Sequence, residues 1–195
     1  EIPLLKVLAS MEIEGINLDT KFLNNLSVKT NQKLIKIQKD IFEISGEEFN
    51  ISSPKQLGEI LFEKMKVSKN PKKTKTGQYS TAEDILSNLA KENDFVKLIL
   101  KYRSVSKLLN TYIDSLPKQI SKSTKRIHTN FLQTVAATGR LSSVNPNLQN
   151  IPIRTESGKE IRKAFIPRNK DFFLMAADYS QIELRVIAAL SKEDN

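Results

Sequence analysis

The chain has 195 residues and no cysteine. That excludes disulfides, a thiol nucleophile and thiolate zinc sites, and it fits a reducing compartment. His128 is the only histidine. It stands in an alternating segment, where a histidine is more often structural than catalytic, and no chemistry is assigned to it. No apolar run approaches the roughly 20 residues of a membrane-spanning helix. No secretory leader pattern opens the chain, and no internal repeat is present. The expectation is a protein without a membrane partner, in the cytoplasm, its oligomeric state open.

Acid is missing where base is dense. Between Lys64 and Ala82 there are six lysines and no acid, and between Ser115 and Thr155 six basic residues and no acid. The formal net charge is +9 and the isoelectric point about 9.6. Such a balance points to a polyanionic partner, nucleic acid first and an anionic membrane surface second. A merely soluble basic protein has the same total charge. Acid-free stretches remove the repulsion that a phosphate backbone would meet, and neutralising phosphates releases counterions, so binding should weaken steeply with salt. With 39% hydrophobic residues, the chain can support a core, as one domain or two small ones.

Local signals divide the chain. Residues 3–14 read as a helix closed by Gly15. Asp19 is placed to cap a long helix to about Ile44, stopped by Gly46. Ser53 and Pro54 start another, with Leu57, Ile60, Leu61 and Met65 on its buried side. Residues 66–79 have five lysines, Pro71 and Gly77 but no hydrophobic period, and read as an exposed loop. Ser80 and Glu83 suit a capping box. Asp94 is placed to cap a helix that continues to Leu116, with Pro117 marking its end. From Arg126 the texture changes. Ile127, Thr129 and Phe131 alternate with polar residues, residues 139–152 are mostly turn, and 164–166 and 172–177 read as strands. The expected class is α+β, with residues 1–120 mainly helical and 121–195 mixed.

The run Phe172-Phe173-Leu174-Met175-Ala176-Ala177 leads into Asp178-Tyr179-Ser180-Gln181-Ile182-Glu183-Leu184-Arg185. A short buried strand would place Asp178 at its end, before a helix on which Ile182, Val186 and Ala189 share a buried side. A carboxylate there can hold a divalent metal. From this local pattern alone, Asp and Ser before a helix are more often plain N-caps.

The octapeptide 178–185 resembles motif A of family A DNA polymerases, the DNA polymerase I type. A second block, Thr138-Gly139-Arg140-Leu141-Ser142-Ser143 followed by Pro146-Asn147-Leu148-Gln149-Asn150-Ile151-Pro152, resembles that family's T-G-R-L-S-S…P-N-L-Q-N-I-P signature. Order and spacing also agree, and a more diffuse match extends upstream to residues 47–57. Ala136 departs from the family, where many relatives have Thr.

The resemblance implies a mostly helical thumb over 1–120, with a lysine-rich tip loop at 64–79. Residues 121–195 would then be the first part of a mixed palm sheet with helix. The implied activity is template-directed DNA synthesis in replication or repair, on primer-template DNA with deoxynucleoside triphosphates and two Mg²⁺ ions. Asp178 would bridge the metals, and the Tyr179 backbone carbonyl would be a further ligand. Ser180, Gln181, Ile182 and Glu183 would line the nucleotide pocket, Glu183 blocking a 2′-hydroxyl. Arg140 would test minor-groove acceptors at the primer terminus, and Asn147, Gln149 and Asn150 would contact template and primer. Arg103, Lys107 and Thr111 on the thumb, and Lys72, Lys73 and Lys75 at its tip, would follow the backbone. Arg185 would support the site.

Read from the residues alone, plainer alternatives remain open. A solvated helix face is the alternative for Arg103, Lys107 and Thr111, and an exposed turn for Arg140. The fingers helix, the His-Asp-Glu motif and the exonuclease carboxylates of the family have no counterpart in the 195 residues, so the chain alone is expected to be inactive. A non-catalytic DNA-binding module is the alternative function. A phage-type RNA polymerase is a third, against which Glu183 argues.

Overall fold

The computed structural model describes residues 2–153 and 155–191. Helix α1 (Ile2–Glu14) ends before Gly15 and is followed by β1 (Asn17–Leu18). Helix α2 (Thr20–Ser45) starts where the Asp19 carboxylate accepts the Phe22 N–H, 2.8 Å away. It stops where Gly46 takes the left-handed conformation (φ +75°) and its N–H reaches the Phe42 carbonyl. Helix α3 (Pro54–Glu59) is capped by Ser53 and runs on as a π-helical turn, Ile60–Lys64.

The next two starts differ from expectation. Helix α4 (Glu83–Leu89) has Ala82 at its cap, with no side-chain capping bond. The Ser80–Glu83 box does not form, because Thr81 is buried and held from another helix. Helix α5 (Asp94–Leu108) is capped by Asn93, whose side-chain oxygen accepts the Val96 N–H at 3.1 Å. Asp94 is the first helical residue and pairs with Lys97 at 2.7 Å. Past α5 the chain widens into a π-helical turn, Leu109–Ile113, then a 3-10 turn, Leu116–Gln119. Pro117 lies inside that last turn rather than beyond it, at a first-turn position where its missing N–H costs nothing.

Two small antiparallel sheets follow. Strand β2 (Asn130–Leu132) pairs with β3 (Ser142–Val144), with Phe131 opposite Ser143. Helix α6 (Glu156–Arg162) was not legible from periodicity. The Thr155 hydroxyl caps it by accepting the Gly158 N–H at 3.1 Å. Strand β4 (Phe165–Ile166) returns to β1, with Leu18 opposite Phe165. Helix α7 (Ile182–Ser191) is the last element. The α+β class holds.

Two cores support these elements. Ile37, Ile41, Leu57, Leu61, Leu86, Val96 and Ile99 join α2, α3, α4 and α5. Leu23, Leu108, Leu109, Tyr112 and Leu116 meet Ile127, Ile151, Ile161 and Ala164 in the other. Each such fully buried side chain contributes about 1.5–3 kcal/mol of transfer free energy. The second core crosses residue 120, so helical residues before it and mixed residues after it share one apolar interior. His128 is structural: Nδ1 lies 2.7 Å from the Glu12 carbonyl and Nε2 2.5 Å from the Thr124 hydroxyl.

The segment 172–177 corrects the sequence reading. It forms no strand, and Phe173 and Met175 are 89% and 88% exposed. The expected buried side of α7 is exposed as well, at Ile182, Val186 and Ala189. A strand needs a hydrogen-bonding neighbour, and the described residues place none beside this run.

Candidate nucleic-acid interface

A cleft of about 1150 Å³ runs between α5, with its continuation, and the loop after β3. Arg103, Lys107 and Thr111 line one wall, and Asn147 and Asn150 the other. These five sequence-predicted residues come from stretches about 40 positions apart, and the second core is what closes them on each other. The Tyr112 phenol, buried at the cleft floor, donates to the Asn150 carbonyl at 2.6 Å. Glu83 is the one acid among the described lining residues, so the wall favours an anion.

Arg103 is only in part a surface cation. Its guanidinium donates to the Thr81 carbonyl at 2.6 Å and to the Thr81 hydroxyl at 3.1 Å. Burial pulls its pKa below the ordinary arginine value, and the Glu83 charge opposes that shift. Arginine still remains charged at neutral pH. Arg103 therefore fixes the approach to α4 while keeping other N–H donors toward the cleft.

The Asn147 loop is shaped from inside. Ser143 is 0% exposed. Its hydroxyl accepts the Leu148 N–H at 3.1 Å and lies 2.6 Å from the Thr129 hydroxyl. Thr129 in turn donates to the Pro146 carbonyl at 2.7 Å. The Asn147 side-chain oxygen accepts the N–H groups of Gln149 and Asn150, at 3.0 and 3.2 Å. The Gln149 side-chain oxygen accepts the Ser143 N–H at 3.0 Å and does not line the cleft. Beneath the loop, Gly158 packs so closely that a Cβ there would stand 2.4 Å from the Pro152 carbonyl oxygen.

Asp178 to Glu183 stand apart from the cleft. Asp178, Tyr179, Ser180 and Gln181 are exposed and precede α7. Gln181 has a φ of +52°, and the Arg185 side chain donates back to the Ser180 carbonyl at 2.9 Å. Ile182 opens α7. Glu183, in its first turn, pairs with Arg140 at 3.2 Å. The expected minor-groove reader and the expected sugar-blocking residue thus meet, with side chains 76% and 69% exposed.

The sequence profile of DNA polymerase family A matches residues 20–195. The chain belongs to DNA polymerase family A. It is 50% identical over 195 residues to the DNA polymerase I of Geobacillus stearothermophilus and 51% identical to that of Bacillus subtilis. In both cases all of this chain is covered, but only 22% of the relative. A solved structure, the POL domain of Pol1 from M. smegmatis in complex with DNA primer-template and dNTP, superposes with a TM-score of 0.85 at 40% identity. The match covers 100% of this chain and 34% of that one.

In this family A chain the lysine-rich loop is a small hairpin. The Thr74 N–H reaches the Gln78 carbonyl at 2.7 Å, and the Ser80 N–H reaches the Lys72 carbonyl at 2.9 Å. Lys72, Lys73 and Lys75 are exposed on it, with the Lys73 ammonium 5.1 Å from the Tyr79 ring centroid. None of the three lines the cleft.

Mg²⁺ takes oxygen ligands, often one or two carboxylates plus waters. Asp178 and the Tyr179 carbonyl are oxygen donors of that kind. No group of three acidic or histidine side chains converges among the described residues, so these donors by themselves would make only part of a coordination shell. The sequence reading missed Lys101, Ser104, Ser115 and Gln119, which also line the cleft. They flank Lys107 and Thr111 on both sides at steps of three or four residues, and that register was the available signal. Thr81, Ser143 and Tyr112 had no local signal, since each acts through a distant partner.

Proposed function

We propose that this chain is the part of a template-directed DNA polymerase that holds primer-template DNA and contributes one metal-binding carboxylate. The carrying observation is the single cleft that joins Arg103, Lys107 and Thr111 to Asn147 and Asn150. Residues 1–120 serve as thumb and 121–195 as the first part of the palm. Lys107 is a point charge for phosphate, and the Thr111 hydroxyl and the asparagine amides add donors that fix the register of the duplex. Lys72, Lys73 and Lys75 follow the backbone at the tip, and Gln149 holds the loop while reaching for the strand.

Arg140 reads the minor-groove acceptors, whose degeneracy suits a sequence-blind enzyme. Its Glu183 partner lies under the sugar of the incoming nucleotide, with Ser180, Gln181 and Ile182 beside it. Asp178 and the Tyr179 carbonyl would hold Mg²⁺. Bound Mg²⁺ supplies charge stabilisation to the attacking and leaving oxygens of the phosphoryl transfer. With one carboxylate of the pair, the 195-residue chain alone would not extend a primer.

The test uses the full-length polymerase. Glu183→Ala should admit ribonucleotides, raising rNTP incorporation relative to dNTP. Lys107→Ala combined with Asn150→Ala should weaken primer-template binding about tenfold or more. Unchanged sugar discrimination would reject the gate, and unchanged DNA affinity would reject the cleft as the DNA site.

A further inference from the structure

Lys101 is the least explained charge in the cleft. It is exposed on α5 and lines the cleft. Lys97, one turn earlier on the same helix, is paired with Asp94 at 2.7 Å. Lys101 has no ion pair among the described residues. Its companions on the cleft side are Ser104 and Lys107 of α5 and Thr111, Ser115 and Gln119 of the π-helical and 3-10 continuation. The spacing is three or four residues throughout, so each member neighbours the next, and this broad stripe carries a hydrogen-bond donor at every turn. The apolar residues Leu100 and Leu108 line the same cleft.

A solvated helix face needs no such order. Lysines on solvated faces are commonly matched by acids one turn away, as Lys97 is. Here every residue of the stripe donates and none is acidic, and the Gln119 side-chain amide already donates to the Ser115 hydroxyl at 2.8 Å. Lys101 stands six residues before Lys107, about 9 Å along the axis. It shares the cleft with Glu83 and Ser87 of α4, the helix that starts just after Thr81, which Arg103 holds at the root of the lysine hairpin; Glu83 is the one acid among the described residues of that wall.

We infer that Lys101 is a further phosphate-binding residue, which with Ser104 extends the track from the Asn147 loop toward the lysine hairpin. The ligand is the sugar-phosphate backbone of the bound duplex, read without regard to sequence. Lys101 supplies charge, and the Ser104 hydroxyl a neutral donor to a neighbouring phosphate. The hairpin and the cleft then grip one continuous stretch of backbone. This inference rests on the DNA-binding reading of the cleft.

The experiment measures primer-template affinity of the full-length polymerase against salt concentration, on two unrelated duplex sequences. Lys101→Ala should reduce the slope of log K against log salt by about 0.9, the share of one phosphate contact, equally on both sequences. Lys101→Arg should restore it. Ser104→Ala should weaken binding with the slope unchanged. Lys97→Ala, outside the cleft, should leave the slope alone. If Lys107→Ala lowers the slope and Lys101→Ala does not, Lys101 is a solvated charge and the inference falls while the cleft reading stands. If neither lowers it, the DNA-binding reading of the cleft falls too.

Discussion

The Asn147 loop is held from below by Ser143, Thr129 and Gly158 and from the side by Tyr112, whereas the Asp178 segment touches little besides itself and Arg140. Both carry the signature residues of the family, at similar density. They differ in what supports them. The loop rests on a core that crosses from the helical to the mixed part of the chain, and its turn is fixed by buried hydroxyls. Phe173, Met175 and Leu184 around the acidic motif face solvent. Gripping a duplex requires only a shaped, positively charged wall, which one compact unit can build. Positioning a metal requires several donors converging on a point, and Asp178 has no such companions among the described residues.

The most severe way to break this contrast is Asp178→Ala in the full-length polymerase. Nucleotide incorporation should fall on the order of 10³-fold or more, while primer-template affinity stays within about twofold. Single-turnover incorporation and fluorescence anisotropy separate the two. A parallel loss of DNA binding would mean that the acidic segment also shapes the cleft, and the contrast would dissolve.

A smaller effect sharpens it. Ser143→Ala removes the acceptor of the half-buried Leu148 N–H and the buried partner of the Thr129 hydroxyl, and should cost about 1–3 kcal/mol. Ser180→Ala, in the exposed segment, should stay within about 0.5 kcal/mol. Urea denaturation of both variants checks this, and equal losses would show the two regions to be equally embedded.

The smallest effect concerns the start of α5. The Lys97 hydrogen bond, followed by the Lys97 charge, holds the Asp94 carboxyl below its ordinary value of 3.8. A carboxylate lowered by folding adds stability above its unfolded-state value, and that stability is lost as pH falls through the folded-state value. Asp94→Asn should therefore be slightly less stable than the parent at pH 7, and the difference should vanish in acid below that ordinary value. A difference that persisted in acid would place its origin in packing rather than charge.

Much of the helical part was legible because its signals are local. Asp19, Gly46, Ser53 and Pro54 act within one turn of themselves, so their residue types were enough. The near miss at Asp94 is of the same kind: Asn93 and Asp94 are both good caps, and only backbone geometry chooses between them. The missed capping box has another cause. Thr81 is claimed by Arg103, 22 residues away, and no local rule reports such a claim. Helix α6 has seven residues, too few to display a hydrophobic period. The run 172–177 was read as a strand from its apolar texture, but texture gives a propensity and not a neighbour.

The amino-acid sequence by itself determined the family, the strongly basic charge, the helix boundaries set by caps, and which residues are candidates for the chemistry. These are properties of residue type and short spacing. The tertiary structure alone decided that Lys107 faces Asn147 across one cleft, that Arg103 is partly withdrawn onto Thr81, that Lys101 joins the same wall, and that Arg140 meets Glu183. Each depends on how helices and loops distant in the chain are brought together by the shared core, and packing, unlike capping, is not written in neighbouring residues.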